Sequence, residues 1–155
     1  MARTGTLGQG GAGYSGTPLA RKLGIAEGTS VVLVGAPEGF EEVLAPLPRG
    51  VVARRRVPGA GHPADVAVLF STSAADLDAR FPRVAAALTP AGGLWVAWPK
   101  RSSGVATDLT ENVVRDIGLA HGMVDNKVCA ITDVWSGLRF VLRLKDRPNG
   151  RPGRS

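Results

Sequence analysis

Three largely apolar runs do most to constrain this chain: Val31-Val32-Leu33-Val34, Ala64–Phe70 and Leu94–Trp98. A strand with one face in water alternates polar and apolar residues. A strand apolar at nearly every position must be covered on both faces, the situation of a parallel sheet packed between helices. The segments between the runs carry apolar residues three and four apart instead. Phe40, Val43, Leu44 and Leu47 form one such stripe, and Leu77, Phe81, Val84, Ala85 and Leu88 another. Strands alternating with helices define an α/β sheet with a parallel centre. At 155 residues the chain is long enough for one domain with a substantial core.

Turn and cap residues set the remaining boundaries. Residues 1–13 hold five glycines and little to bury, and are expected to be a disordered lead-in to a single domain over 14–145. Thr17-Pro18 reads as an N-cap and first helical residue, opening a helix over Leu19–Leu23 that Gly24 closes. Pro46 and Pro48 end the Phe40 stripe. Val51–Val57 reads as a second strand near an edge, because Arg54, Arg55 and Arg56 are consecutive, and Gly59–Pro63 as loop. Ser71-Thr72-Ser73 offers caps for the next helix. Pro82 inside its stripe predicts a kink, or two short helices meeting at Phe81. Thr89–Gly93 reads as the helix stop. Asp108 and Glu111 have capping-box spacing before a helix with Leu109, Val113, Ile117 and Ala120 on its apolar face. The end of the domain reads as a hairpin: Asp125–Thr132, a turn at Asp133–Gly137, then Leu138–Lys145, necessarily antiparallel. The right-handed crossover rule gives the sheet order two, one, three, four, with the last hairpin strand beside strand four.

The net charge of +6 invites a nucleic-acid reading, but its placement weakens it. From Lys145 onward, Lys145, Arg147, Arg151 and Arg154 against Asp146 supply half of that excess. Residues 146–155 are expected to be a disordered basic tail, and specific nucleic-acid binding is not expected. Cys129 is the sole cysteine, which excludes an intrachain disulfide and a cysteine-cluster metal site. Neither a signal-peptide core nor a membrane span is visible, so the expectation is a cytoplasmic protein without a membrane partner.

Two resemblances follow from particular residues. Leu23-Gly24-Ile25, Gly28 and the strand at Val31 resemble the entry to the S-adenosylmethionine-dependent methyltransferase fold. Leu88-Thr-Pro-Ala-Gly-Gly-Leu-Trp-Val96 resembles that fold's later passage into a strand, and the closing helix and hairpin resemble its antiparallel end. The implied architecture is Rossmann-like and three-layered, over residues 17–145, with one strand and its helix missing. In those methyltransferases an acidic residue in strand one precedes a Gly-x-Gly turn, and an acidic residue ending strand two holds the ribose. Here strand one is Val31–Val34, the turn is Gly35-Ala36-Pro37, and strand two offers Arg54-Arg55-Arg56. At the sequence level the chain resembles the bacterial family known as domain of unknown function 3052. That likeness rests on Tyr14–Leu19, Ala36–Phe40, Trp98-Pro99-Lys100, Ser103-Gly104, Thr107–Leu109, Val124–Ile131 and Trp135–Leu138. It implies no established activity.

The candidate site is the edge where parallel strands end, the usual ligand position in open α/β sheets. That edge collects Gly35, Glu38 and Gly39, then Ser71, then Trp98, Lys100, Arg101 and Ser103. Trp98 either stacks on a planar ligand or packs against the neighbouring helix, and the two cations either neutralise an anion or are solvated. Glu38 facing Lys100 or Arg101 would suit a zwitterion or polar heterocycle. Tyr14, Ser15 and Thr17 are placed to fold over the exit of strand one. Trp95, three residues from Trp98, points to the opposite face and belongs in the core. Trp135-Ser136-Gly137 reads as turn packing and Cys129 as a buried, unreactive thiol. His62 and His121 lack metal-ligand spacing, and no Gly-x-Ser-x-Gly elbow occurs. No catalytic residue, metal or cofactor is assigned. The expectation is a binding domain for a small molecule or protein partner. The alternatives are a divergent S-adenosylmethionine-dependent methyltransferase and weak nucleic-acid binding through the basic tail.

Overall fold

The computed structural model describes residues 17–59 and 61–146. The glycine-rich lead-in, Tyr14, Ser15 and the tail from residue 147 lie outside the described residues. Six strands form one sheet: β1 (Ser30–Val34), β2 (Val52–Arg54), β3 (Ala64–Phe70), β4 (Leu88–Pro99), β5 (Met123–Ala130) and β6 (Trp135–Leu142). Their order is β2-β1-β3-β4-β6-β5, as the crossover rule predicts. The first four strands in that row are parallel, and β6 pairs antiparallel with both β4 and β5. Four helices flank the sheet: α1 (Leu19–Lys22), α2 (Phe40–Leu44), α3 (Ala74–Ala86) and α4 (Glu111–Ala120).

Each face of the sheet has its own core. Val32, Leu69, Leu94, Val96, Trp98 and Phe140 pack with Leu77, Phe81 and Val84 of α3 and Val114 of α4. Val31, Leu33, Val68, Phe70, Trp95 and Ala97 pack with Ala20 and Leu23 of α1 and Phe40 and Leu44 of α2. Trp95 and Trp98 thus point to opposite faces, as their spacing predicts. Fully buried Trp95 donates its indole N–H to the Leu23 carbonyl at 3.0 Å. That bond fixes α1 to the middle of the sheet.

Several boundaries differ from the sequence reading, each for an identifiable reason. Pro18 is the N-cap of α1, not its first helical residue. β2 keeps only three residues, because Arg55 leaves the strand to bond the loop after β1. Pro82 lies within one continuous α3. Thr89–Gly93 is not a helix stop but the start of β4. Ala64 pairs with Leu88 and Val66 with Gly93, so the extra β4 residues bulge. The bulge needs a glycine, since a Cβ on Gly92 would come within 3.0 Å of the Asp65 carbonyl oxygen. The N-cap of α4 is Thr110, whose hydroxyl accepts the Val113 N–H at 3.2 Å. Asp108 instead accepts the Ala74 N–H that opens α3, at 2.8 Å.

The hairpin strands also begin earlier than expected. Thr132 Oγ1 accepts the N–H groups of Val134 and Trp135, closing the turn before Trp135. Trp135 then enters β6 with its ring edge-on to Phe70, at a centroid distance of 5.0 Å. Gly137 is a packing glycine rather than a turn residue, since a Cβ there would clash with Ile131 and press on Trp95.

Candidate functional site

The parallel strands all end on one edge, but they deliver the candidate residues to two places. β1 leads through α2 to β2 on one side, while β3 lies on β1's other side. The crevice between the exits of β1 and β3 is therefore the switch point at which such sheets usually bind ligands. Gly35, Glu38, Gly39 and Ser71 belong to this crevice. Trp98, Lys100, Arg101 and Ser103 belong to the exit of β4. β3 stands between β1 and β4, and two strand spacings amount to about 9–10 Å. Gly35–Gly39 do not line the concavity that Trp98 and Lys100 share at the β4 exit.

Side chains of the protein itself occupy the switch point. Gly35 turns the chain at φ +70° and Gly39 at φ +82°, conformations that glycine adopts without strain. Arg55, just beyond β2, donates to the carbonyls of Ala36 (2.8 Å) and Pro37 (3.0 Å) and pairs with both oxygens of Glu41. Glu38 also acts on Arg55, strengthening its hold on its proton, rather than facing Lys100 or Arg101. On the other side Arg80 donates to the Phe70 carbonyl at 2.7 Å and pairs with Asp76. Its guanidinium would lie 3.2 Å from a Cβ on Gly35. Buried Ser71 donates to Asp76 at 2.8 Å. The Arg80 hydrogen bond, helped by that of Ser71, holds the Asp76 carboxyl below its ordinary value.

A concavity of about 560 Å³ opens at the β4 exit. One wall is Trp98, Pro99, Lys100 and Arg101. The other is Gly104–Thr107 with Leu109–Glu111, and Ser136 of β6 completes the rim. Two bonds hold the outer segment in place: Thr107 donates to the Thr72 carbonyl at 2.6 Å, and Asp108 accepts from Ala74. Ser103 lies outside the lining and shapes the turn, donating to the Lys100 carbonyl and accepting the Val105 N–H. Trp98 is only 6% exposed, so its ring is core and contributes an edge rather than a stacking face. Among the described residues no carboxylate lies within ion-pair distance of Lys100 or Arg101. Glu111, the one acid on the lining, pairs with Arg115 at 2.6 Å.

The other candidates behave as structural groups. Cys129 is half-buried, and burial pushes its thiol pKa up despite Lys22, Lys127 and Lys100 nearby. His121 ends α4, stacks on Phe81 and contacts Asp78 at 2.8 Å, linking α4 to α3. Among the described residues no cluster of His, Cys, Asp and Glu could hold a metal ion, and no helix is long and apolar enough to cross a membrane.

Sequence reasoning missed Arg55, Arg80 and Asp76 at the crevice, and Val105, Leu109 and Thr110 at the concavity. Asp76 and Arg80 carried a readable signal, the i,i+4 spacing of a helical ion pair.

The described architecture is a Rossmann-like α/β fold of methyltransferase type. A S-adenosylmethionine-dependent methyltransferase from Aquifex aeolicus is similar over 79% of this chain and 86% of its own, with TM-score 0.53 and 14% identity. The Methanococcus jannaschii fibrillarin pre-rRNA processing protein is similar over 77% and 69%, with TM-score 0.53 and 12% identity. A possible exported protein from Bordetella parapertussis is similar over 80% and 65%, with TM-score 0.58 and 12% identity. Identities this low define the fold and not the activity. No family model matches the chain and no curated protein does, so the likeness to domain of unknown function 3052 rests on its motifs alone.

Proposed function

We propose that this protein uses a methyltransferase-type fold to bind a small molecule at the β4 exit, without taking up S-adenosylmethionine at the switch point. The observation that carries this reading is the pair of arginines at the crevice. A bound S-adenosylmethionine needs a carboxylate for its ribose, acceptors for its amino group and an open turn at the end of β1. Arg55 stands where the ribose carboxylate would, and its guanidinium is already spent on Ala36, Pro37 and Glu41. Arg80, paired with Asp76, sits over Gly35 and takes up space above the turn. The residues present therefore do not fit the cofactor. The concavity beside them is open and its two cations have no ion-pair partner among the described residues, which favours it as the place where a ligand enters.

A divergent methyltransferase is the second reading, and the fold comparison favours it over a non-catalytic binder. The residues of the crevice favour the binder. Two missing charge-assisted anchors, each worth about 1.5–3 kcal/mol, convert a micromolar site into a millimolar one. Calorimetric titration of the full chain with S-adenosylmethionine and its demethylated product separates the readings. Binding no tighter than millimolar is expected for both, and a micromolar Kd for either would overturn the proposal in favour of the methyltransferase.

A further inference from the structure

We infer that the ligand of the β4-exit concavity is a small organic anion. Its carboxylate or phosphate group is held by Lys100 and Arg101, and its apolar body lies against Val105, Leu109 and the edge of Trp98. This rests on the proposed reading of the concavity as a ligand site and adds the chemical class.

The inference comes from charge accounting on the walls. The ionisable residues of the lining are Lys100, Arg101 and Glu111. Arg115 bonds both Glu111, at 2.6 Å, and Asp125, at 3.0 Å, so the Glu111 carboxylate is engaged by that arginine and not by Lys100 or Arg101. Lys100 and Arg101 have no ion-pair partner among the described residues, and against the one carboxylate of Glu111 they leave the lining with a net charge of +1. A cation is repelled here, and a neutral ligand leaves both charges unused. An oxyanion gains two charge-assisted contacts in a setting screened from water on one side. Val105 is 43% exposed while Leu109 is 3% exposed, so an apolar body covers surface that water now wets beside a dry floor. The volume suits a compact molecule carrying one such group.

The test is amide-resolved NMR titration of the full chain with four probes: inorganic phosphate, phenyl phosphate, benzoate and benzyl alcohol. Phenyl phosphate and benzoate are expected to give saturable shifts at Lys100–Gly104 and Val105–Glu111. Inorganic phosphate should bind more weakly at the same amides, since it lacks the apolar body. Lys100→Gln with Arg101→Gln should weaken both organic anions at least about tenfold, the loss of one charge-assisted hydrogen bond. Lys100→Arg should restore most of that. Both residues are at least partly exposed, so the variants should keep the parent's melting transition. Benzyl alcohol binding there as tightly as benzoate, unaffected by the double variant, would overturn the anion class and leave the concavity as a site. Equal shifts around Arg54–Arg56 would also overturn it, marking diffuse attraction to basic surface. Silence of these amides with all four probes would overturn the site together with its ligand class.

Discussion

Single side chains fix the two cores tightly enough that opposing effects can be weighed. Gly118 lies in α4, where replacing glycine with alanine ordinarily stabilises a helix by about 1 kcal/mol. Here a Cβ would run into the fully buried Phe140 ring, and overpacking costs about 1–3 kcal/mol or more. Gly118→Ala is therefore expected to destabilise the protein by about 1–2 kcal/mol in urea unfolding, whereas unchanged or raised stability would mean that Phe140 can give way. Trp95→Phe removes the indole N–H from the buried Leu23 carbonyl, with an expected loss of about 1–3 kcal/mol. The ion pair at Asp76 gives an acid-side signature. Its folded pKa is depressed below the ordinary 3.8, so its contribution is complete above that value and is lost as pH falls through the folded pKa. Asp76→Asn should flatten the loss of stability below about pH 4, measured as unfolding free energy against pH. A slope identical to that of the parent would show that Asp76 keeps an ordinary pKa.

At the scale of elements, what was legible depended on whether the signal was local. The strand order was readable because apolar runs and crossover handedness act at that level. The cluster Thr89–Gly93 was not, because proline and glycine mark a helix stop and a strand bulge alike, and only pairing with β3 decides between them. Gly137 was misread for a similar reason: its small size serves Ile131 and Trp95, which approach it only in the folded sheet. The site divides the same way. Trp98, Lys100 and Arg101 followed from the rule about strand exits, while Arg55 with Glu41 joins residues 14 apart across two elements. Pro82 tests the account of α3. It is exposed inside a continuous helix and leaves the Asp78 carbonyl without its helical N–H. Pro82→Ala should raise stability by about 1–3 kcal/mol, read from the melting transition, and a loss would mean that Pro82 makes a needed contact.

Across the whole molecule, the fold has the sheet order and helix layers of a methyltransferase type and places two ion pairs, Arg55 with Glu41 and Arg80 with Asp76, at the switch point. Arg55 ties the end of β2 to the loop after β1, and Arg80 ties α3 to the end of β3. The β1, β2 and β3 exits are thereby held together by internal hydrogen bonds. A concavity opens at the β4 exit, and its outer wall hangs from Thr72 and Ala74. The proposed exclusion of S-adenosylmethionine from the switch point can be read at that crevice itself. A titration of isotopically labelled protein with S-adenosylmethionine, watching the amides of Gly35, Ala36, Gly39 and Ser71, reads it residue by residue. These four amides are expected to stay in place through millimolar cofactor. Saturable shifts at Gly35, Gly39 and Ser71 with a micromolar Kd would contradict it.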